Sequence, residues 1–195
     1  MLVRHGDPSL PTPPFVPAGT EAQQIAINEA ARRLIEPHRL APSEEPGVRF
    51  RADILRSRGW CVAPMERGLA FEEAERICSA LRRAGTDELL GILVDTRDAD
   101  VSEVLAFPVQ PPHLFRFVHA HPGSDVMLAA RDFDPVLLSD GEEIVVIAGP
   151  PAFVLDAVGG DAAAHAREWV DFLHELKGGY RLINDFYAPF ALAPA

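Results

Sequence analysis

Val136-Leu137-Leu138-Ser139-Asp140-Gly141-Glu142-Glu143-Ile144-Val145-Val146-Ile147 is the stretch whose reading decides the fold. Two apolar runs flank a polar centre, and Asp-Gly offers the positive φ angles that a tight hairpin turn demands. The pattern predicts two antiparallel strands. Upstream, Val126–Ala130 reads as a short strand, and Leu89–Val94 and Val101–Val109 read as continuous apolar strands. His113–His119 alternates around Leu114, Phe115, Phe117 and Val118, which predicts another strand. Short connections between consecutive strands favour an antiparallel meander over β-α-β units.

Downstream of the hairpin, Gly149-Pro150-Pro151 ends the sheet. Proline suits a first helical position, so a short helix through Phe153, Val154 and Ala157 is expected. Asp161 caps a final helix whose face holds Ala166, Trp169, Val170, Phe172, Leu173 and Leu176, and Gly178-Gly179 stops it. The tail from Tyr180 to Ala195 is aromatic and apolar, which predicts packing on the body.

Working toward the N-terminus, Phe71, Ala74, Ile77, Cys78 and Leu81 recur at helical spacing. Glu72, Glu73 and Glu75 open that helix and Arg82 and Arg83 close it, the polarity that suits a helix dipole. Thr20 with Gln23 is a capping-box signature for an earlier helix ending before Pro37. Residues 37–47 read as a loop and Val48–Phe50 as a short strand. Pro8, Pro11, Pro13, Pro14 and Pro17 make residues 1–19 an extended or disordered Pro-rich arm. The expected class is α+β: an arm at 1–19, then a single domain at 20–195. That domain is expected to carry a mostly antiparallel five- or six-stranded sheet with helices packed on one side.

A chain of 195 residues, 48% hydrophobic and 24% charged, has enough material for a core without a disulfide or metal staple. Cys61 and Cys78 stand alone rather than in a C-x-x-C pair and read as reduced core thiols. No apolar run approaches the roughly 20 residues that span a bilayer, so no membrane partner is expected. The N-terminus lacks a charged region followed by an apolar core, and a cytoplasmic location is expected. The net charge of −11 opposes approach to phosphate backbones, which argues against direct nucleic-acid binding. Arg49, Arg51, Arg56 and Arg58 form the densest basic stretch, but Asp53 interrupts it and it reads as a solvated edge. Lys177 is the only lysine among 18 basic residues, so the cationic chemistry of the chain is that of arginine.

Three groups of residues have catalytic or ligand-binding chemistry to weigh. Arg4-His5-Gly6 resembles, over those residues alone, the motif of the histidine phosphatases. His119-Ala120-His121-Pro122, followed by Ala129-Ala130-Arg131-Asp132, resembles the His-x-His-Pro and Ser-x-x-Asp signature of the JAB/MPN zinc metallopeptidases. Glu88-Leu89-Leu90-Gly91-Ile92-Leu93 resembles that family's Glu-bearing strand. The resemblance implies His119, His121 and Asp132 as zinc ligands and Glu88 as general base, with Ala129 standing where the family has serine. Two imidazoles and a carboxylate leave a fourth position for an activated water, and alternation on a strand would put His119 and His121 on one face. Asp95, Asp98 and Asp100 alternate as oxygen ligands for a hard cation would, yet lack the glycine and distal glutamate of a calcium loop.

The stretch from Pro64 to Gly159 also resembles a bacterial family that shares a helix, a strand meander and an Ala-Gly-Pro before a Phe-Val helix, a likeness of fold only. Two functions are therefore expected as alternatives. One is a small acidic protein-binding module, of inhibitor or immunity type, whose partner is another, basic protein and which needs no cofactor. The other is a zinc-dependent JAB/MPN-like metallopeptidase built on Glu88, His119, His121 and Asp132.

Overall fold

The computed structural model describes residues 15–38, 47–66, 69–94, 104–121, 124–139, 144–175 and 180–192. Expectations on the arm before Phe15, on Arg4-His5-Gly6, on Asp95, Asp98 and Asp100, on the Asp140-Gly141 turn and on Gly178-Gly179 lie outside those residues.

The decisive hairpin forms as two strands, β8 (Val136–Ser139) and β9 (Ile144–Gly149), paired antiparallel with Leu137 opposite Ile147. Every residue of both strands is buried. Alternation sends Val136, Leu138, Val146 and Ala148 to one core and Leu137, Val145 and Ile147 to another. A sheet with two buried faces needs cover on both, and this corrects the expectation of helices on one side. The continuous apolar runs are the physical reason, because a half-solvated strand would alternate with polar residues.

The sheet has seven strands in the order β1-β6-β5-β7-β8-β9-β4, not five or six. Its further members are β1 (Val16–Pro17), β4 (Cys61–Glu66), β5 (Glu88–Val94), β6 (Val104–Pro108) and β7 (Asp125–Ala129). All of its pairings are antiparallel. Of these seven, β1 and β4 are absent from the sequence reading. β1 belongs to the end of the Pro-rich arm, where Val16 pairs with Ala106 and Ala18 donates to the Val104 carbonyl at 2.8 Å. β4 contains Pro64, which lacks the donor of a central strand and suits the edge it occupies. Ala191 bridges Val62 on that edge, so this border of the sheet is partly covered against edge-to-edge pairing.

One face is covered by α3 (Phe71–Arg83), α4 (Pro111–Ala120) and α5 (Pro151–Ala157). The other is covered by α1 (Glu21–Leu34), α2 (Ala52–Arg58), α6 (Ala162–Glu175) and α7 (Tyr180–Tyr187). A separate hairpin of β2 (Ile35–His38) and β3 (Gly47–Phe50) lies on this second face. The capping box at α1 is present, with Thr20 N–H donating to Gln23 Oε1 at 2.8 Å and Gln23 N–H to Thr20 Oγ1 at 3.4 Å. At α6, Asp161 Oδ1 accepts the Ala164 N–H at 2.8 Å, as a cap should. The tail packs on the body: Ile183, Tyr187 and Phe190 are buried, and the Phe50 N–H donates to the Tyr187 hydroxyl at 3.0 Å.

His113–His119 is helical and not a strand. Pro111 and Pro112 occupy the first turn of α4, and Leu114, Phe117 and Val118 form its buried face at i, i+3 and i+4. The helix carries the chain from β6 across β5 to β7, so this connection is a helical crossover within a sheet whose neighbouring strands are all antiparallel.

Candidate functional site

The helical fold of α4 changes what its histidines can do. His119 lies in the last turn and His121 is the residue that caps the end. Two residues apart on a helix is roughly 200° of rotation, so the rings diverge where a strand would have aligned them. His119 packs on Phe115 at 4.3 Å between ring centroids, whereas His121 packs on Phe117 at 5.1 Å. Phe115 is half-buried and Phe117 is in the core, so the two imidazoles belong to different surroundings.

Glu88 and Asp132 are also held elsewhere. At the start of β5, Glu88 Oε1 forms an ion pair with Arg131 Nη2. Asp132 Oδ1 accepts the Asp134 N–H at 3.1 Å within the turn that leads to β8. That turn has Phe133 at φ +57°, which is rare for a bulky residue, and the Arg58 guanidinium donates to the Phe133 carbonyl at 2.7 Å. Among the described residues no group of three or more His, Cys, Asp or Glu is placed to hold a metal ion. The side chains that the peptidase resemblance assigns to zinc are thus not gathered around one point and do not fit the ion.

Neither cysteine is an activated thiol. Burial pushes the Cys78 thiol up to about 12, and burial raises Cys61 as well. The basic stretch is consumed by the fold: Arg49 pairs with Glu36 at 2.8 Å, and Arg51 pairs with Asp53 at 3.0 Å. Arg49 also lies 3.8 Å over the Phe186 ring, Arg56 lies 5.4 Å over Phe190, and Arg58 lies 4.5 Å over Trp60.

What α3 and α4 do bring together at the surface is an aromatic cluster. Phe71, the first residue of α3, leaves 45% of itself exposed and meets Phe115 edge-on at 6.3 Å. Phe115 in turn packs, with its ring tilted, on exposed His119, one helical turn further along α4. Phe71, Phe115 and His119 therefore form a continuous strip across the two helices. Glu75 sits one turn on from Phe71, and both Glu72 and Glu75 are exposed. Neither carries an ion pair or hydrogen bond among the described residues. Glu73 differs, since its carboxylate accepts the Ala70 N–H at 2.8 Å and faces Arg76 at 3.6 Å.

Glu72 and Glu75 also line an open groove of about 480 Å3 between α3 and the Gly159-Gly160 turn after α5. The paired Arg83 and Asp156 border it, 2.8 Å apart. On the opposite face of the sheet, a cleft of about 230 Å3 lies between α1, the β2–β3 hairpin and the end of β5, with Ala31, Ile35 and Ile92 among its lining. Sequence reasoning grouped Phe71 with the apolar residues at helical spacing in α3 and placed Phe115 in a strand, and so missed the strip. The available signal was position: Phe71 is the outermost member of its stripe, with acidic residues directly beside it.

No helix among the described residues is long and apolar enough to cross a membrane. No protein-family profile, curated protein or solved structure matches the chain.

Proposed function

We propose that this chain is a small acidic protein-binding module whose docking face is the outer surface of α3 and α4. The observation that carries the reading is the strip of exposed Phe71, half-buried Phe115 and exposed His119, with Glu72 and Glu75 on the same helix as Phe71 and without an ion pair or hydrogen bond among the described residues. Aromatic residues dominate binding energy at protein interfaces, because a rigid ring brings much contact area for little lost side-chain freedom. A net charge of −11 repels acidic surfaces and steers encounter with basic ones. Covering a cationic protein, as an inhibitor or immunity-type partner does, is the role this combination suits.

The test is site-specific photo-crosslinking in the source cells, with benzoylphenylalanine replacing Phe71 in one variant and Val170 in another. Val170 is 48% exposed on α6, across the sheet, and serves as the control. A discrete covalent adduct with a second protein from position 71 but not from position 170 is expected. No adduct at 71, or the same ladder of products from both positions, overturns the reading.

A further inference from the structure

On one face of the sheet, aromatic rings of the core are covered by guanidiniums of the chain itself. Phe186, Phe190 and Trp60 each lie under a guanidinium of the chain itself, from Arg49, Arg56 and Arg58 respectively. Under that cover Trp60 and Phe190 are buried, at 4% and 8% exposure, and Phe186 is half-buried, while each arginine keeps its charge toward water. On the other face of the sheet Phe71 stays 45% exposed, Phe115 beside it is half-buried, and no such guanidinium covers either among the described residues. Arg116, next to Phe115 in sequence, is half-buried and already engaged. Glu72 and Glu75, whose carboxylates carry no partner among the described residues, lie in the first turns of the same helix, and long side chains on a helix lean toward its N-terminus, where Phe71 is.

We propose that the Phe71–Phe115–His119 strip receives an arginine from a basic segment of a partner protein, its guanidinium stacked on the rings and its hydrogen bonds taken by Glu72 and Glu75. This rests on the protein-binding reading and specifies its partner. Arginine fits better than lysine for two reasons. The planar guanidinium spreads its charge over a ring face and is weakly hydrated, so covering it against Phe71 loses little water. It also presents several donors in one plane, which lets it stack on a ring and serve a neighbouring carboxylate at once. Lysine offers a compact, strongly hydrated ammonium that does only the second.

The experiment is an NMR titration of the 15N-labelled full chain with two synthetic peptides of identical Gly-Ser background. One carries three arginines and the other carries lysines at the same positions. Shifts concentrated in residues 70–76 and 115–119 are expected, with the arginine peptide bound about five-fold more tightly, the ratio a stacked cation contributes at an exposed site. Phe71→Ala should remove that preference while leaving net charge untouched. Glu72→Gln/Glu75→Gln should weaken both peptides, whereas Glu29→Gln/Asp171→Asn, an equal change of charge on the other face, should not. These positions are exposed, so the variants keep the fold, and unchanged dispersed spectra verify it.

Equal affinity for the two peptides, shifts scattered over the acidic surface, or a preference that survives Phe71→Ala overturns the proposal. If that happens while position 71 still crosslinks to a second protein, only the arginine chemistry falls and the docking face stands. If position 71 also captures nothing, both fall together.

Discussion

Gly91 is the point at which α4 is allowed to lie on the sheet, and replacing it with alanine is the sharpest test of how the docking face is held. A Cβ at position 91 would lie 2.3 Å from Phe117 Cζ, 2.5 Å from Cε2 and 2.9 Å from Cε1. Real carbon atoms do not approach so closely, so either the ring or the helix must move. The ring has nowhere to go. Phe117 is 1% exposed, stacks on Phe107 at 5.2 Å and meets Phe15 edge-on at 5.5 Å. Overpacking of this kind costs about 3 kcal/mol. Alanine recovers up to about 1 kcal/mol because glycine loses more chain freedom in a strand. The net loss is about 2 to 3 kcal/mol, or roughly 4–12 °C in Tm for a chain of this size.

Thermal unfolding followed by circular dichroism measures it, and a double-mutant cycle identifies the cause. Phe117→Ala alone costs about 3–5 kcal/mol by leaving a cavity. In the double variant the new methyl enters that cavity, so the combined loss should fall short of the sum by at least 1 kcal/mol. A neutral Gly91→Ala, or strictly additive losses, would refute the contact. Because α4 also carries Phe115, Gly91→Ala should disturb the strip at Phe71 from beneath without touching a surface residue.

Further outcomes are open to direct measurement. His165 and His38 are both lowered from the ordinary histidine value of 6.5, chiefly by burial, with Arg76 acting on the first and Arg49 on the second. The unfolded chain thus takes up protons that the folded chain resists, so stability is full above pH 6.5 and falls as pH drops below it. Denaturant midpoints between pH 8 and pH 5 should show the loss, and His165→Gln should flatten it. Cys78, with its thiol held at about 12, should resist a thiol-reactive dye at pH 8 in the folded chain, while half-buried Cys61 reacts slowly. Mass spectrometry of the labelled protein reads both, and rapid modification of Cys78 would contradict its buried placement. Thr20→Ala should lower stability by about 1 kcal/mol through loss of the cap on α1, measured by the denaturant midpoint.

The parts of the fold legible in the sequence are those whose signals are local. The polarity of α3, acidic at its start and basic at its end, is written in its own residues, as are the cap at Thr20 and the proline that opens α5. α4 was not legible because Phe115 and Phe117, two residues apart around Arg116, imitate a strand alternation, while Leu114, Phe117 and Val118 carry the helical repeat. Pro111-Pro112 settles the choice, since proline pre-sets φ for a first turn and cannot pair in the middle of a sheet. From that one choice the metal reading follows or fails: on a strand His119 and His121 share a face, and on a helix they cannot. The two-sided cover was legible in principle, because β8 and β9 contain no polar alternation to meet water. The strip of Phe71 and Phe115 is different in kind. Its exposure depends on where two helices distant in sequence cross the sheet, and Gly91 decides that by letting Phe117 sink onto β5. A residue with no side chain thereby sets the position of the rings that we assign to a partner.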